Sequence, residues 1–283
     1  MTVAGPTLSV VVACRNAAAH LPRLLEALAG ETVEGGFEVI VVDNGSTDDT
    51  RAVAEGFADR LPGLRVVDAS ATAGQWYASN VGVAAADGAG IVFLDSDDQF
   101  APGYLAEMAA GLRESELVGP TLDVDRLNPG WITRSRRVPT VDGLIDIYGF
   151  LPYINSVAIR ADAFNALGGY ANIPPSQDVD LCWRAQLRGM RLTAVPGAVL
   201  YYRYRDTMGG IYQQAVGYGA AEAALYRRFR RHGMPRSAPA SLKDIWYLGR
   251  HAKDRGDWAY FVFVLGVHVG RLKGSVRNRV VFL

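Results

Sequence analysis

The chain has 283 residues, 49% of them hydrophobic, and its 29 Lys+Arg balance 29 Asp+Glu. That is enough apolar material for one large α/β core with a small appendage, and too little length for several ordinary domains. The balance conceals a polarity, because from Arg184 onward 18 basic side chains face 5 acidic ones, and before it 11 face 24. An acidic half can hold a divalent cation, and a basic half can meet phosphates or an anionic membrane surface; no nucleic-acid partner is read from this pattern. Cys14 and Cys182 form no secreted-type framework and have no metal-spaced partner, which fits a reducing, cytoplasmic compartment. The N-terminus lacks a basic stretch before its apolar run, so that run is read as a strand and not as a signal. The apolar stretch Trp258 to Val269 falls short of the roughly 20 residues a spanning helix needs, so no transmembrane helix is expected.

Four short apolar runs, LSVVVA, FEVIVVD, LRVVDAS and GIVFLD, have the character of buried parallel strands. Between them, Leu21, Leu24, Leu25 and Leu28 recur at helical spacing and Gly30 would end that helix. Ser46 or Thr47 is placed to cap a second helix with Val53, Phe57 and Leu61 on one face, and a third helix follows Gly74. Pro102 suits the first position of a helix carrying Leu105, Met108 and Leu112. Strict alternation predicts a doubly wound, mostly parallel α/β sheet whose ligands lie beyond the carboxyl ends of the strands. From Glu116 to Asn155 Pro, Gly and Arg interrupt the pattern, and loops are expected there, as an acceptor-side insertion. Regular structure resumes with SVAIR, a tight turn at LGGY, a helix in PPSQDVDLCWRAQLRG and one or two strands in RLTAVPGAVLYYRY.

The chemistry-bearing residues fall just after strands. Asp95-Ser96-Asp97-Asp98 follows GIVFLD, and Asp95 and Asp97 together could share a hard cation such as Mg²⁺ or Mn²⁺, which takes oxygen ligands and keeps positions for phosphate. Taken alone, such a motif is more often a turn that caps the next helix. Context shifts the balance: Asp43 ends the second strand on the same edge, where it could accept bonds from a base or ribose, and Arg15 and Asn16 end the first. Asp178 sits in the first turn of the helix opened by Ser176, where the dipole stabilises its anion; it serves either as a general base or as simple dipole compensation. Asp180 and Arg184, four apart, read as a structural pair. Arg203 and Arg205 alternate along a strand, facing one side, and could meet a diphosphate as bidentate donors, or could belong to a solvated edge strand.

With LSVVVACRN, VIVVDNGSTDDT, GQWYASNVGVAAADG, IVFLDSDD, LGGY and QDVDLCWRAQLRG in this order, the chain resembles the inverting nucleotide-sugar glycosyltransferases called family 2, which have the GT-A fold. The resemblance covers roughly residues 7–230. It implies a GT-A domain over residues 1–232, followed by a C-terminal helical extension over 233–283. It further implies that Ala13 to Asn16 and Asp43 contact the nucleotide, that Gly74 and Asn80 border its pocket, and that Asp95 and Asp97 carry the D-x-D role, with Ser96 between them as a nucleotide-sugar contact. Asp178 then matches the family's catalytic carboxylate. The donor would be a nucleoside diphosphate sugar, with uridine the expected base, and the acceptor a hydroxyl on a glycan, lipid or small molecule. Two positions depart from the pattern: Gln177 stands where the family usually has Glu, and VLYYRYRD lacks the His that relatives often supply to the metal. The processive Q-x-x-R-W motif is also absent, so single addition is expected.

The alternative is a non-catalytic protein that kept the sugar-nucleotide pocket. A dinucleotide oxidoreductase would need G-x-G-x-x-G after the first strand, and that motif is absent there. The tail holds Ile245, Trp246 and Gly249, then the apolar run, then Arg271, Lys273, Arg277 and Arg279, enough for two helices. It could pack on the main domain, on a second subunit in a homo-oligomer, or on an anionic membrane at the cytoplasmic face.

Overall fold

The apolar runs pair with one another in the computed structural model, which describes residues 7–61, 63–136, 140–236 and 242–282. The first six residues, part of the reading against a signal, lie outside them. In chain order come β1 (Leu8–Cys14), α1 (Leu21–Ala29), β2 (Phe37–Asp43), α2 (Thr50–Glu55), β3 (Arg65–Asp68), α3 (Gln75–Ala84) and β4 (Gly90–Asp95). There follow β5 (Gln99–Phe100), α4 (Tyr104–Glu114), β6 (Leu117–Asp123), α5 (Gly130–Ser135), β7 (Thr140–Val141), β8 (Leu144–Ile145), β9 (Ala158–Arg160) and α6 (Ala161–Leu167). The chain closes with α7 (Gln177–Gln186), β10 (Leu192–Tyr201), α8 (Met208–Phe229), α9 (Leu242–His251) and α10 (Arg255–Asn278).

One eight-stranded sheet has the order β3-β2-β1-β4-β9-β6-β10-β5. β1 pairs in parallel with β2 and β4, β2 with β3, and β6 with β10, while β9 and β5 run antiparallel to their neighbours. Successive side chains of a strand face opposite sides, so each central strand feeds two cores. Val10 and Val12 join Leu21, Leu24, Leu25 and Leu28 of α1 on one face; Val11 joins Ala78, Phe164 and Trp183 on the other. Gly82 is required on the second face, since a Cβ there would come within 2.5 Å of Val11 and 2.8 Å of Val42.

Three elements differ from the sequence expectation. Ser46 and Thr47 do not cap α2, which starts at Thr50 after Asp49; both are held by Asn16 instead, and Phe57 and Leu61 fall in turns beyond the helix end. α4 begins at Tyr104, after a left-handed Gly103, and not at Pro102. Its N-terminus is capped from outside, by the buried Glu31 carboxylate accepting from Gly103 N (2.8 Å) and Leu105 N (2.9 Å). The stretch after Glu116 is not all loop, because β6 occupies the sheet between β9 and β10. Gly119 and Pro120 hide it in the sequence, yet both fit: a Cβ on Gly119 would lie 2.4 Å from Ile154, and Pro120 pairs where the β10 register slips between Val195 and Val199.

The C-terminal helices lie on the rest of the fold. α10 packs along α8 with their backbones almost touching, since a Cβ on Gly270 would fall 2.2 Å from Val216 O and one on Gly219 2.0 Å from Val267 O. Buried Glu222 pairs with the partly buried Arg271 across this seam at 2.5 Å. Among the described residues no helix is long and apolar enough to cross a membrane. Gly270→Val should therefore lower unfolding stability by about 3 kcal/mol, the upper range of overpacking costs, in a denaturant titration. A loss below about 0.5 kcal/mol would contradict the close approach.

Candidate functional site

The parallel register lines up the expected residues across one rim. Cys14 pairs with Asp43 and Ala13 with Asp95, so Asp43, the end of β1 and Asp95 stand on three adjacent strands. With strands about 4.8 Å apart, Asp43 and Asp95 are separated by roughly 10 Å of rim, the scale of a nucleoside and its diphosphate.

The loops at the β1–β2 end are knitted together by side chains. Asp43 is buried, and its Oδ1 accepts from Ser46 N at 2.9 Å, while its other oxygen takes no hydrogen bond from a described residue. Asn44 donates to Ala69 O and Thr72 O and accepts from Gly74 N at 2.8 Å, fixing the loop before α3. Gly74, at φ 142°, opens that helix in a conformation few other residues adopt. Asn16, at φ 53°, accepts from Thr47 N at 2.8 Å, so its side chain ties the two loops to each other. Ala13 is partly buried, and Arg15 is exposed beside it.

At β4 the carboxylates crowd. Asp98 turns back to accept from Asp95 N at 2.8 Å, the turn-forming role, which leaves Asp95 and Asp97 as the pair at the rim with Ser96 between them. Solvent reaches Asp95, yet protein surrounds it closely. That desolvation, together with the negative charges of Asp97 and Asp178, pushes its carboxyl up to about 6 against help from Gln75 and Arg205. Asp97 is exposed and accepts no hydrogen bond from a described residue. Among the described residues no group of three or more His, Cys, Asp or Glu could hold a metal ion. The two carboxylates present are an all-oxygen set that fits Mg²⁺ or Mn²⁺ only if a substrate's phosphate completes the shell.

Asp178 comes to the same place from α7. Its carboxylate accepts from Tyr170 Oη at 2.7 Å and from the backbone of Ser156, while desolvation pushes it up to about 6. Tyr170 is itself clamped, because Asn80 accepts from its N–H (2.9 Å) and donates to its carbonyl (3.0 Å). Asn80, expected to border the nucleotide, thus has both ends of its amide spent on positioning Tyr170. Asp180 is fully buried, pairing with Arg184 at 2.7 Å and Arg228 at 3.0 Å, and Arg184 also donates to Leu167 O and Gly169 O. The Asp180–Arg184 pair is structural and anchors the LGGY turn that presents Tyr170.

Gln75 is the residue that sequence reasoning missed. It donates to Asp95 and accepts from Gln177 Nε2 at 2.9 Å, so the departing residue Gln177 reaches Asp95 through one amide. The only available signal was its place in GQWYASN, at the first position of a helix beside the rim. Arg203 and Arg205, expected along a strand, instead lie in the loop past the end of β10 at Tyr201, and line a cavity of about 250 Å³ with Trp131 and Arg255.

A GT-A-type sheet with carboxylates gathered at the carboxyl ends of β2 and β4 defines the class of nucleotide-sugar transferases. The family model Glycosyl transferase family 2 matches residues 9–167, and the chain belongs to that family. It is 36% identical to a PGL/p-HBAD biosynthesis glycosyltransferase of Mycobacterium tuberculosis over 115 residues, 40% of this chain and 44% of that one. It is 28% identical to a pre-mycofactocin glycosyltransferase of the same species over 235 residues, 77% of this chain and 47% of that one. The matches span less than half the length of these curated relatives. Among solved structures, the fold is shared with S. aureus TarS 1-349 in complex with UDP-GlcNAc, at TM-score 0.57, 19% identity and coverage of 97% and 92%. It is also shared with the Pyrobaculum calidifontis mannosyltransferase PcManGT in complex with GDP-Man and Mn²⁺, at TM-score 0.64, 18% identity and coverage of 97% and 78%.

Because the folded-state value of Asp178, about 6, lies above its ordinary 3.8, the folded chain binds the extra proton between those values. Stability from this group is thus present at low pH and lost as pH rises through about 6. Asp178→Asn should be more stable than the parent at pH 7.5, by on the order of 1–2 kcal/mol, and the gain should shrink toward zero below about pH 4. Thermal melts at the two pH values test this; an equal gain at both would disconnect it from charge.

Proposed function

We propose that the protein transfers a sugar from a nucleoside diphosphate donor, with UDP the favoured nucleotide, to an acceptor hydroxyl, with inversion and one addition per encounter. The observation that carries this reading is the convergence of Asp95 at the end of β4, Asp97 just after it and Asp178 of α7, near enough that the charges of Asp97 and Asp178 act on Asp95. In this reading Asp43 and the segment Ala13 to Asn16 receive the nucleoside, with Gly74 behind them, and Arg205, whose charge already acts on Asp95, meets the diphosphate. Asp95 and Asp97 would hold Mn²⁺ or Mg²⁺, which when bound neutralises the departing diphosphate. The PcManGT complex with GDP-Man and Mn²⁺ and the TarS complex with UDP-GlcNAc support a donor and a divalent cation of these classes.

Asp178 takes the proton of the acceptor hydroxyl as that oxygen attacks the anomeric carbon. Tyr170 Oη and the Ser156 N–H fix which way the carboxylate points, and desolvation raises its basicity toward the working range. Residues 1–232 would form the transferase domain, with 233–283 as its helical extension. Exposed Trp246 and Trp258, with Arg250 and Lys273 in the same extension, support contact of the tail with an anionic membrane. Flotation with phosphatidylglycerol vesicles tests that contact, and full recovery in the soluble fraction removes it.

UDP with Mn²⁺ should raise the melting temperature, corresponding to about 2.7 kcal/mol at a hundredfold excess over Kd, and less without metal. Asp178→Asn should keep that shift while turnover falls about 10²- to 10⁴-fold, and parent turnover should rise with pH through about 6. Near-normal turnover in the variant would remove Asp178 from this role. A donor shift with neither transfer nor donor hydrolysis would favour a non-catalytic binding protein.

A further inference from the structure

The rim continues past the carboxylates. Across the sheet the order is β2, β1, β4, β9, β6, β10, with Asp43 on β2 and Asp95 on β4. Asp178 hangs over the start of β9, held by the Ser156 backbone just before that antiparallel strand. A nucleoside at Asp43 with its diphosphate at Asp95 fills the rim as far as β4. Beyond β9 along the same rim come β6 and β10, on the side away from β2 and β1.

That place is the cavity of about 250 Å³, walled by the loops after β6 and β10 and by the start of α10. Its lining carries three arginines, Arg203, Arg205 and Arg255, against one carboxylate, Asp206. None of the three makes an ion pair with a described residue. Arg255 lies over the Trp131 ring at 4.0 Å and donates to Asp206 O at 3.2 Å, so its guanidinium is oriented without being neutralised. The contact is built into the backbone: Gly256 is buried, and a Cβ there would come 2.9 Å from Trp131 O. Behind Tyr204, which shares the lining, Arg136 stacks on that ring at 5.0 Å and on Phe263 at 4.7 Å, with its Nη2 buried and without a hydrogen-bond partner among the described residues. Burial lowers its pKa, and no described carboxylate pairs with it.

We propose that this cavity binds a phosphate group carried by the acceptor, with Arg203 and Arg255 as its principal donors and Arg205 shared with the donor's diphosphate. Planar guanidinium groups match phosphate oxygens two at a time, and a volume of this size admits a phosphate with part of its ester. The assignment to an acceptor rests on the transferase reading above; the presence of an anion site apart from the nucleotide does not. An acceptor phosphate held here would place a nearby hydroxyl of the same molecule toward Asp178.

The test titrates inorganic phosphate and glycerol 3-phosphate into the full chain, free and saturated with UDP and Mg²⁺, by calorimetry. Both probes should bind the UDP-saturated protein. Arg255→Gln and Arg203→Gln should each weaken them at least fivefold, and Arg255→Gln should keep its UDP affinity within twofold, which also shows that this variant is folded. Vesicles containing phosphatidic acid form the second arm: saturable binding lost in Arg255→Gln identifies a lipid-borne phosphate, and binding of the soluble ester alone a soluble one. Displacement of phosphate by UDP, or affinity unchanged in both variants, overturns the proposal. If UDP fails to bind but phosphate still binds in an Arg255-dependent way, the donor reading falls and the anion site stands.

Discussion

Negative charge held at close quarters governs the functional rim. Asp97 and Asp178 bear on Asp95 and, with desolvation, push its carboxyl up, while desolvation alone pushes up that of Asp178. Such an arrangement persists only because the surrounding chain over-determines it. One tie runs from buried Asp180 through Arg184 to the LGGY turn, and from there, with Asn80, to Tyr170 and the Asp178 carboxylate. Another runs from Gln177 through Gln75 to Asp95. Removing either tie would let the carboxylates drift apart into solvent, where their repulsion is screened and their chemistry ordinary. In the proposed reading, a cation completed by phosphate oxygens would relieve the same repulsion, which would couple substrate binding to electrostatic relaxation.

The fold was legible where each strand buries both faces, because such strands are near-continuous apolar runs. β1, β2 and β4 are of that kind, and Asp43 and Asp95 could be read as strand ends once those runs were seen. β6 was not legible, since Gly119 answers to the bulk of Ile154 and Pro120 to a slip in β10, both contacts made across the sheet by distant segments. α2 was mis-started for a related reason: Ser46 and Thr47 are good local caps, but Asn16, thirty residues earlier, claims them. At the site, residue types marked the carboxylates, whereas the residues that aim them are neutral amides and a phenol. Gln75, Asn80 and Tyr170 carry no charge signature, and their roles exist only in three dimensions.

Gly219, Gly266, Gly270 and Gly274 let α8 and α10 approach until backbone meets backbone. The consequence reaches the rim, because the start of α10 carries Arg255 to the cavity after β10. A helix held by glycines along one seam is fixed in both rotation and register, which a looser apolar contact would not ensure. The basic half of the chain is thereby brought to the acidic half at one place. The charge separation visible in the sequence becomes an ordered sequence of carboxylates and then guanidinium groups along the same edge of the sheet.

Gln177 gains a physical meaning from this layout. A glutamate there, as the family usually has, would bring a further negative charge into contact with Gln75 and so toward Asp95, where three carboxylates already compete. The neutral amide instead donates to Gln75 and frees that side chain's own amide hydrogens for Asp95. The Gln177 Oε1 atom is left buried and without a partner among the described residues, an uncompensated acceptor beside the rim. An unmet acceptor in that position favours a ligand that brings a donor, such as a sugar hydroxyl, over one that brings further negative charge.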